Sequence, residues 1–207
     1  MKKLVEQSDK NSGLEYDKIY LIRQEEGPDK QDVKRWKKLL KHYKGTRLLD
    51  MGCLDSLIPE FAVQKNPTAE LWGIDLSEVA INSMRQLFPY VYYDVQDVYQ
   101  TKFPDDYFGY VVAGELIEHL ERPSDFIKEA MRILRPGGTF ALSTPLDEEL
   151  EPGAVDGERH LWSFSREDIQ KILEPYGNVK IEVLGSTYFP IYKYHWPSII
   201  AFCKKKR

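Results

Sequence analysis

The sequence predicts an α/β three-layer sandwich, with a mostly parallel seven-stranded sheet and an antiparallel C-terminal strand pair. Three observations predict it. From Thr46 onward strand-like runs alternate with helix-like runs, which implies right-handed crossovers and a parallel sheet covered on both faces. The last two strand-like runs are joined by a long connection that suits an antiparallel hairpin. Polar residues close four of the strands, where an open parallel sheet holds its ligand.

The elements follow in order. Residues 1 to about 28 are polar around an apolar island of Tyr16, Ile19, Tyr20, Leu21 and Ile22. "EEGPDKQ" breaks the chain. Asp29 or Asp32 then caps a helix to about His42, with Val33, Trp36, Leu39, Leu40 and Tyr43 on one face. "TRLLDM" reads as a strand and "SLIPEFAVQK" as a helix. "AELWGID" is a strand, and "SEVAINSMRQLF" is a helix capped by Ser77. "YVYYDV" and "YFGYVVAG" are strands, the second followed by helical "ELIEHL". "PSDFIKEAMRILR" is a helix opened by Pro123 and Ser124, which "PGG" ends, and "TFALSTP" is the next strand. Residues 145 to 164 read as a long loop of the kind kept for function. "SREDIQKILEPY" is a helix with a Ser165–Asp168 capping box. "NVKIEVLG" and "SIIAFCKK" form the closing pair.

The bulk properties narrow the functional classes. At 207 residues there is room for one domain with a real core. The net charge of −4 argues against a protein that wraps nucleic acid. Only Cys53 and Cys203 are present, so reduced thiols in a cytoplasmic setting are expected over a disulfide framework. Residues 1 to 11 carry two lysines with no apolar run behind them, so no signal peptide is expected. No stretch approaches a membrane span.

Four strand ends carry the polar residues. Asp50 closes the first strand and Asp75 the second, where an acid can hydrogen-bond a ribose diol. Asp97 lies just past the third, and Gly114 with Glu115 follows the fourth. Any one of these acids reads equally well as a helix cap or turn residue. Four at equivalent places in successive βα units are much harder to explain as caps.

These motifs resemble the class I S-adenosylmethionine-dependent methyltransferases, in the large group that includes the ubiquinone-biosynthesis O-methyltransferases. "LLDMGC" is similar to the first family motif and "WGIDLSEVAI" to the second-strand acid motif. "DVQDVYQTKFPDDYFGYVVAGELIEHL" and "EAMRILRPGGTFALSTP" are similar to the segments around the fourth and fifth strands. The resemblance covers residues 45 to 145 well, and "ERHLWSFSREDIQKIL" extends it more weakly. It implies a Rossmann-like fold and S-adenosyl-L-methionine as cofactor. It also implies one methyltransferase domain over 1–207: an N-terminal helical cap or lid (1–44), a cofactor core (45–145) and an acceptor-side loop, helix and hairpin (146–207). By position, Asp50, Gly52 and Cys53 would approach the methionine moiety. Asp75 and Leu76 would hold the ribose, Asp97 and Val98 would meet the adenine, and Ala113 and Gly114 would pass under the sulfonium. The residue types agree, because an ammonium and a sulfonium suit carboxylates. A dehydrogenase would need G-x-G-x-x-G for a pyrophosphate, and "GCLDSL" does not supply it.

The family usually has Gly-x-Gly-x-Gly after the first strand, and here only Gly52 stands. If position 54 needs φ > 0, leucine costs about 1–2 kcal/mol. That is roughly tenfold in affinity if the strain is taken on only in the bound state. Asp55 visits the left-handed region more readily and can absorb the geometry instead. Ser56 can cap the following helix, and Pro59 is tolerated in its first turn. A working but altered loop is expected. Cys53 reads as a small packing residue in preference to a nucleophile.

"GELIEHLERP" places Glu115, Glu118 and His119 at helical spacing, so that Glu115 and His119 share a face. His160 comes from the long loop. Glu115, Glu118, His119 and His160 could bind Mg²⁺, Mn²⁺, Fe²⁺ or Zn²⁺. In the family, small-RNA 3′-end 2′-O-methyltransferases resemble this arrangement, where a metal grips a vicinal diol. Without a metal, Glu115 caps or touches the cofactor, Glu118 pairs with Arg122, and His119 is a general base or a packing residue. His119 is the first candidate for general base and His160 the second, with Glu115 beside them.

Acceptor binding is expected from the N-terminal segment and the long loops. Tyr16 and Tyr20 are spaced for one helix face, as a lid or as core packing. "YFPIYKYHWP", with Tyr188, Phe189, Tyr192, Tyr194, His195 and Trp196, can line a pocket, cover a sheet edge or form a dimer surface. "KRWKKLLKHYK" and the terminal "KKKR" read as a solvated face and tail, or as a meeting point for RNA or an acidic carrier. Three readings stand at this level: O-methylation of a small-molecule acceptor by a monomer or homodimer, metal-dependent methylation of an RNA 3′ end, and a non-catalytic interaction subunit.

Overall fold

The first strand, β1 (Lys2–Lys3), is short and lies apart from the main sheet. The computed structural model describes residues 1–4, 11–45, 47–147, 160–185 and 197–207. Helix α1 (Gly13–Glu26) starts where Ser12 accepts from the Glu15 amide. Helix α2 (Lys30–Leu39) uses both candidate acids at once: Asp29 accepts from the Asp32 amide and Asp32 reaches back to the Asp29 amide. The alternation follows as β2 (Arg47–Met51), α3 (Ile58–Lys65), β3 (Glu70–Asp75), α4 (Glu78–Leu87) and β4 (Tyr92–Val95). Ser77 caps α4 through the Ala80 amide. Next come β5 (Phe108–Gly114), a 3₁₀ turn (Ile117–His119), α5 (Pro123–Ile133) and β6 (Leu134–Pro145). The chain ends with β7 (Trp162–Ser163), α6 (Arg166–Leu173), β8 (Gly177–Leu184) and β9 (Ser198–Lys205).

The seven-stranded sheet has the order β4-β3-β2-β5-β6-β9-β8. Its first five strands are parallel, and β9 runs antiparallel between β6 and β8. This is the Rossmann-like sandwich with its antiparallel closing pair. β1 pairs separately with β7. Period-2 alternation sends neighbouring side chains to opposite layers. Leu49, Val111 and Leu142 pack with Phe126 and Ile127 of α5 and Ile169 of α6. Leu48, Tyr110 and Ala141 pack with Trp36 of α2, Ala62 of α3 and Met84 of α4. Phe108, Phe126 and Phe140 are fully buried, and truncating such a ring typically costs about 3–5 kcal/mol.

Two local expectations change. α5 stops at Ile133 and β6 is already extended from Leu134, so Pro136, Gly137 and Gly138 lie within the strand's first half. The β5–β6 register shifts there, between Phe108 and Tyr110, and Gly137 takes φ +73°. "ELIEHL" forms only the single 3₁₀ turn. Most of the expected long loop and all of Tyr188, Phe189, Tyr192, Tyr194, His195 and Trp196 lie outside the described residues. Both cysteines are free and buried. No described helix is long and apolar enough to cross a membrane.

Candidate active site

Strand order reverses between β2 and β5, and the carboxyl ends of these strands open a crevice there. The loop after β2 forms one wall. Gly52 has φ +70°, and a Cβ on it would stand 2.8 Å from a Leu116 methyl, so two constraints demand glycine. The Gly52 and Cys53 amides both donate to the Ile74 carbonyl, at 2.8 and 3.0 Å. Leu54, not Asp55, takes the next left-handed conformation, at φ +31°. Its amide donates to Asp75 Oδ2 at 3.0 Å, and Asp55 instead accepts from Arg23 Nε at 2.6 Å. Ser56 Oγ accepts from the Ile58 amide at 3.0 Å, near the start of α3.

The left-handed geometry at Leu54 is held by the fold's own hydrogen bonds, from its amide to Asp75 and from the Gly52 and Cys53 amides to Ile74. Leu54→Gly is expected to change cofactor affinity by less than about threefold, while shifting the unfolding midpoint. Calorimetry and thermal unfolding of the same samples check this.

The acids differ in character. Asp50 is 2% exposed and its Oδ2 has no hydrogen-bond partner. Burial pushes its carboxyl up to about 7, with Ser56 pulling it down and the Asp75 charge pushing it further up. Asp75 is also buried and raised by burial, against the Ser77, Leu54 and Leu76 amides that favour its charge. It accepts from the Ser77 amide at 2.9 Å. Leu76 is 42% exposed. Asp97 is exposed and accepts from the Tyr99 amide at 2.8 Å, while Val98 beside it is buried. Ala113 is buried, and Gly114 is half-buried with Leu39 over it. Burial among Asp75 and Asp50 raises the Cys53 thiol well above its ordinary value, which suits packing and not nucleophilic chemistry.

Asp50 makes stability depend on pH. Its folded value lies above the unfolded one, so ionisation favours unfolding. Its contribution is lost as pH rises from the ordinary carboxylate value to about 7 and is flat above. Asp50→Asn removes this dependence. Between pH 4 and pH 8 the parent is expected to lose on the order of 4 kcal/mol relative to the variant, read by denaturant unfolding at both values.

The expected helical face of Glu115 and His119 is not formed. Glu115 leaves β5 with φ +50°, and its amide is held by the Ser143 carbonyl and Oγ at 3.0 and 3.2 Å. Its carboxylate lies 3.6 Å from Arg35 Nε. Glu118 is 1% exposed; Oε2 accepts from Thr144 Oγ1 at 3.0 Å, and Oε1 has no partner. Arg122 pairs with Asp125 instead. Burial and then the Glu115 charge raise the Glu118 carboxyl well above its ordinary range, and His160 opposes them. The His119 and His160 rings meet edge to face at 4.6 Å. His160 is held there because the Leu161 amide donates to the Glu118 carbonyl at 2.7 Å and Trp162 Nε1 to the Leu120 carbonyl at 2.8 Å. Ligand atoms of Glu118, His119 and His160 lie within 4.8 Å of one another, and Glu115 is not in that group.

Residues 49–142 match the family model described as a methyltransferase domain. The chain is similar to the S-adenosylmethionine-dependent methyltransferases. It is 27% identical over 143 residues to a protein of Mycolicibacterium smegmatis named "Probable S-adenosylmethionine-dependent methyltransferase". That match covers 68% of this chain and 55% of the relative, so this chain spans about half the relative's length. It is 25% identical to a ubiquinone biosynthesis O-methyltransferase of Pseudomonas aeruginosa, over 73% of this chain and 72% of that one. A solved chain from the complex between the Haloferax volcanii Trm112 methyltransferase activator and a methyltransferase shares the fold. Its TM-score is 0.72 at 17% identity, covering 93% of this chain and 98% of that chain.

The crevice has further residues that sequence reasoning passed over. Arg35 lies in "KRWKKLLKHYK", read as a solvated face, yet its buried Nε has no hydrogen-bond partner and faces Glu115. Asp32 orients it by an ion pair and also holds Arg23 Nη2 at 3.0 Å. The available signal was the Asp32–Arg35 spacing on an amphipathic helix. Asp17 is a second addition: it accepts from Ser77 Oγ at 2.5 Å and from the Val79 amide at 3.1 Å, at the start of α4. At the same end of α1, the neighbouring Tyr16 donates to Asn11, and Asn11 Nδ2 donates to the His119 carbonyl at 3.0 Å. Helix α1 thus touches both sides of the crevice, and Tyr20 is buried beneath it.

Proposed function

We propose that this methyltransferase binds S-adenosylmethionine across the crevice and transfers its methyl group to an oxygen of a small-molecule acceptor. The observation that carries the reading is the set of buried polar atoms without hydrogen bonds along the crevice: Asp50 Oδ2, and Arg35 Nε with Glu115 Oε1, which face each other at 3.6 Å. Such atoms are costly unless a ligand completes them. The amino-acid end of the cofactor carries both charges they need. Asp50 takes the ammonium and Arg35 the carboxylate. Asp75 holds the ribose hydroxyls, Asp97 and Val98 flank the adenine, and the Ala113–Gly114 backbone passes under the sulfonium.

When bound, the cofactor supplies an activated methyl group. The chain's part is alignment and proton removal. His119, in the 3₁₀ turn after β5, accepts the acceptor hydroxyl's proton, and His160 orients its ring. Helix α1 excludes water from above.

A second reading rests on Glu118, His119 and His160. One carboxylate and two imidazoles suit a divalent ion, zinc first among Zn²⁺, Fe²⁺, Mn²⁺ and Mg²⁺. Such an ion would orient a vicinal diol or phenol, the geometry an RNA 3′ end also offers.

One calorimetric series tests both. Metal-stripped protein is expected to bind S-adenosylmethionine in the micromolar range, and no binding up to millimolar concentrations would overturn the first reading. Zinc titrated into the same protein is expected to bind and to be lost in His160→Ala if the second holds. Unchanged zinc binding in that variant would sink it.

A further inference from the structure

The basic stretch around α2 and the C-terminal lysines have no full part in the methyl-transfer crevice, and the fold brings them together elsewhere. A groove of about 460 Å³ lies between the end of α2 and strands β5, β6, β8 and β9. It sits at the amino end of the parallel strands, where Tyr110 pairs with Thr139, Thr139 with Lys204, and Asn178 with Lys204. The methyl-transfer crevice is at the opposite end of the same sheet.

The groove is built from separate segments with one sign of charge. His42, Lys44, Arg135, Lys180 and Lys204 line it, and no acid does. This is against the grain of a chain whose net charge is −4. Glu182 on β8 is held by Lys38 at 2.8 Å and Lys41 at 2.5 Å, with Lys180 at 3.9 Å. Lys44, Arg135 and Lys204 have no acidic partner among the described residues. The Arg135 guanidinium rests on the Gly109 backbone, where a Cβ would come within 3.2 Å of Nη2. His42 stands edge-on to Phe202 at 4.6 Å. Burial, then Lys180 and Lys41, lower its proton affinity.

Unpaired cations gathered in one groove repel one another, and an anion relieves that repulsion. A single carboxylate would meet one or two of them. A chain of phosphates spans more, and the planar Arg135 fork matches phosphate oxygens. Thr139 and Asn178 add neutral donors, and the volume suits a small molecule. We propose that this groove binds an oligophosphate group, from a nucleotide or from inorganic polyphosphate.

The test is calorimetry on the full chain at physiological ionic strength, where loose surface attraction is screened. Sodium tripolyphosphate and ATP are the probes. Binding is expected for tripolyphosphate, weakened by roughly tenfold or more in Lys44→Ala/Arg135→Ala/Lys204→Ala, three exposed positions. A control, Lys65→Ala/Lys128→Ala/Lys171→Ala, loses the same charge from exposed sites elsewhere and is expected to bind like the parent. Both variants should keep the parent's melting temperature. Tighter binding of ATP would support the site and name a nucleotide, with its base against His42 and Phe202; equal binding would support it with the phosphates alone. No binding of either probe at millimolar concentration, or equal weakening in both triple variants, would overturn the proposal.

Discussion

Asp75→Ala is expected to weaken S-adenosylmethionine binding by roughly a hundredfold or more. Hydrogen bonds to a charged group contribute about 1.5–3 kcal/mol each, and a ribose diol offers two. The variant also removes the carboxylate from the Leu54 and Ser77 amides, which sit at the tip of the loop after β2 and at the cap of α4. Each orphaned amide costs about 1–3 kcal/mol where water cannot replace the lost partner. Affinity and melting temperature should therefore fall together. Asp75→Asn keeps one acceptor but turns a donor toward one of the amides, so it should fall between parent and alanine. An affinity for Asp75→Ala within threefold of the parent would exclude Asp75 from the cofactor site.

His119→Ala should leave cofactor affinity nearly unchanged and lower kcat by about 10²–10⁴, the usual contribution of a positioned general base. The assay needs an acceptor, found first by a panel of phenols, sugars and polyketide-like hydroxyls. The parent's rate should rise with pH as the imidazole loses its proton, and the variant should lose that rise. His160→Ala, which removes only the neighbouring ring, should cost less than His119→Ala. The reverse order would exchange the two assignments. If His119→Ala leaves both kcat and the pH profile intact, the crevice acts by alignment alone.

How much was legible in the sequence depended on how local the signal was. The strand and helix alternation was legible because each element carries its own periodicity. Ser77, Ser165 with Asp168, and Asp29 with Asp32 were legible because a cap and its amide lie three residues apart. Glu115 was misread for the opposite reason. The six residues of "ELIEHL" fit a helix, but a run so short cannot repay helix nucleation by itself. Ser143, distant in sequence, holds the Glu115 amide and sets a left-handed exit from β5. Arg35 was missed because nothing in a lysine-rich stretch distinguishes the cation that faces Glu115. The basic groove was invisible as a site, since its lining comes from segments on either side of the whole fold.

The paired grip of Gly52 and Cys53 on the Ile74 carbonyl has a consequence for how this protein can vary. With Leu54 also tied to Asp75, three successive amides of the loop are held by the last two residues of the adjacent strand. The loop is cast against β3 as against a mould. A cast loop stores little of its shape in its own residues, so a leucine can stand in the left-handed conformation at position 54 without the shape being lost. The same dependence turns round at Ile74 and Asp75: substitutions there should be the ones that drift least, because they would deform a loop to which they do not belong.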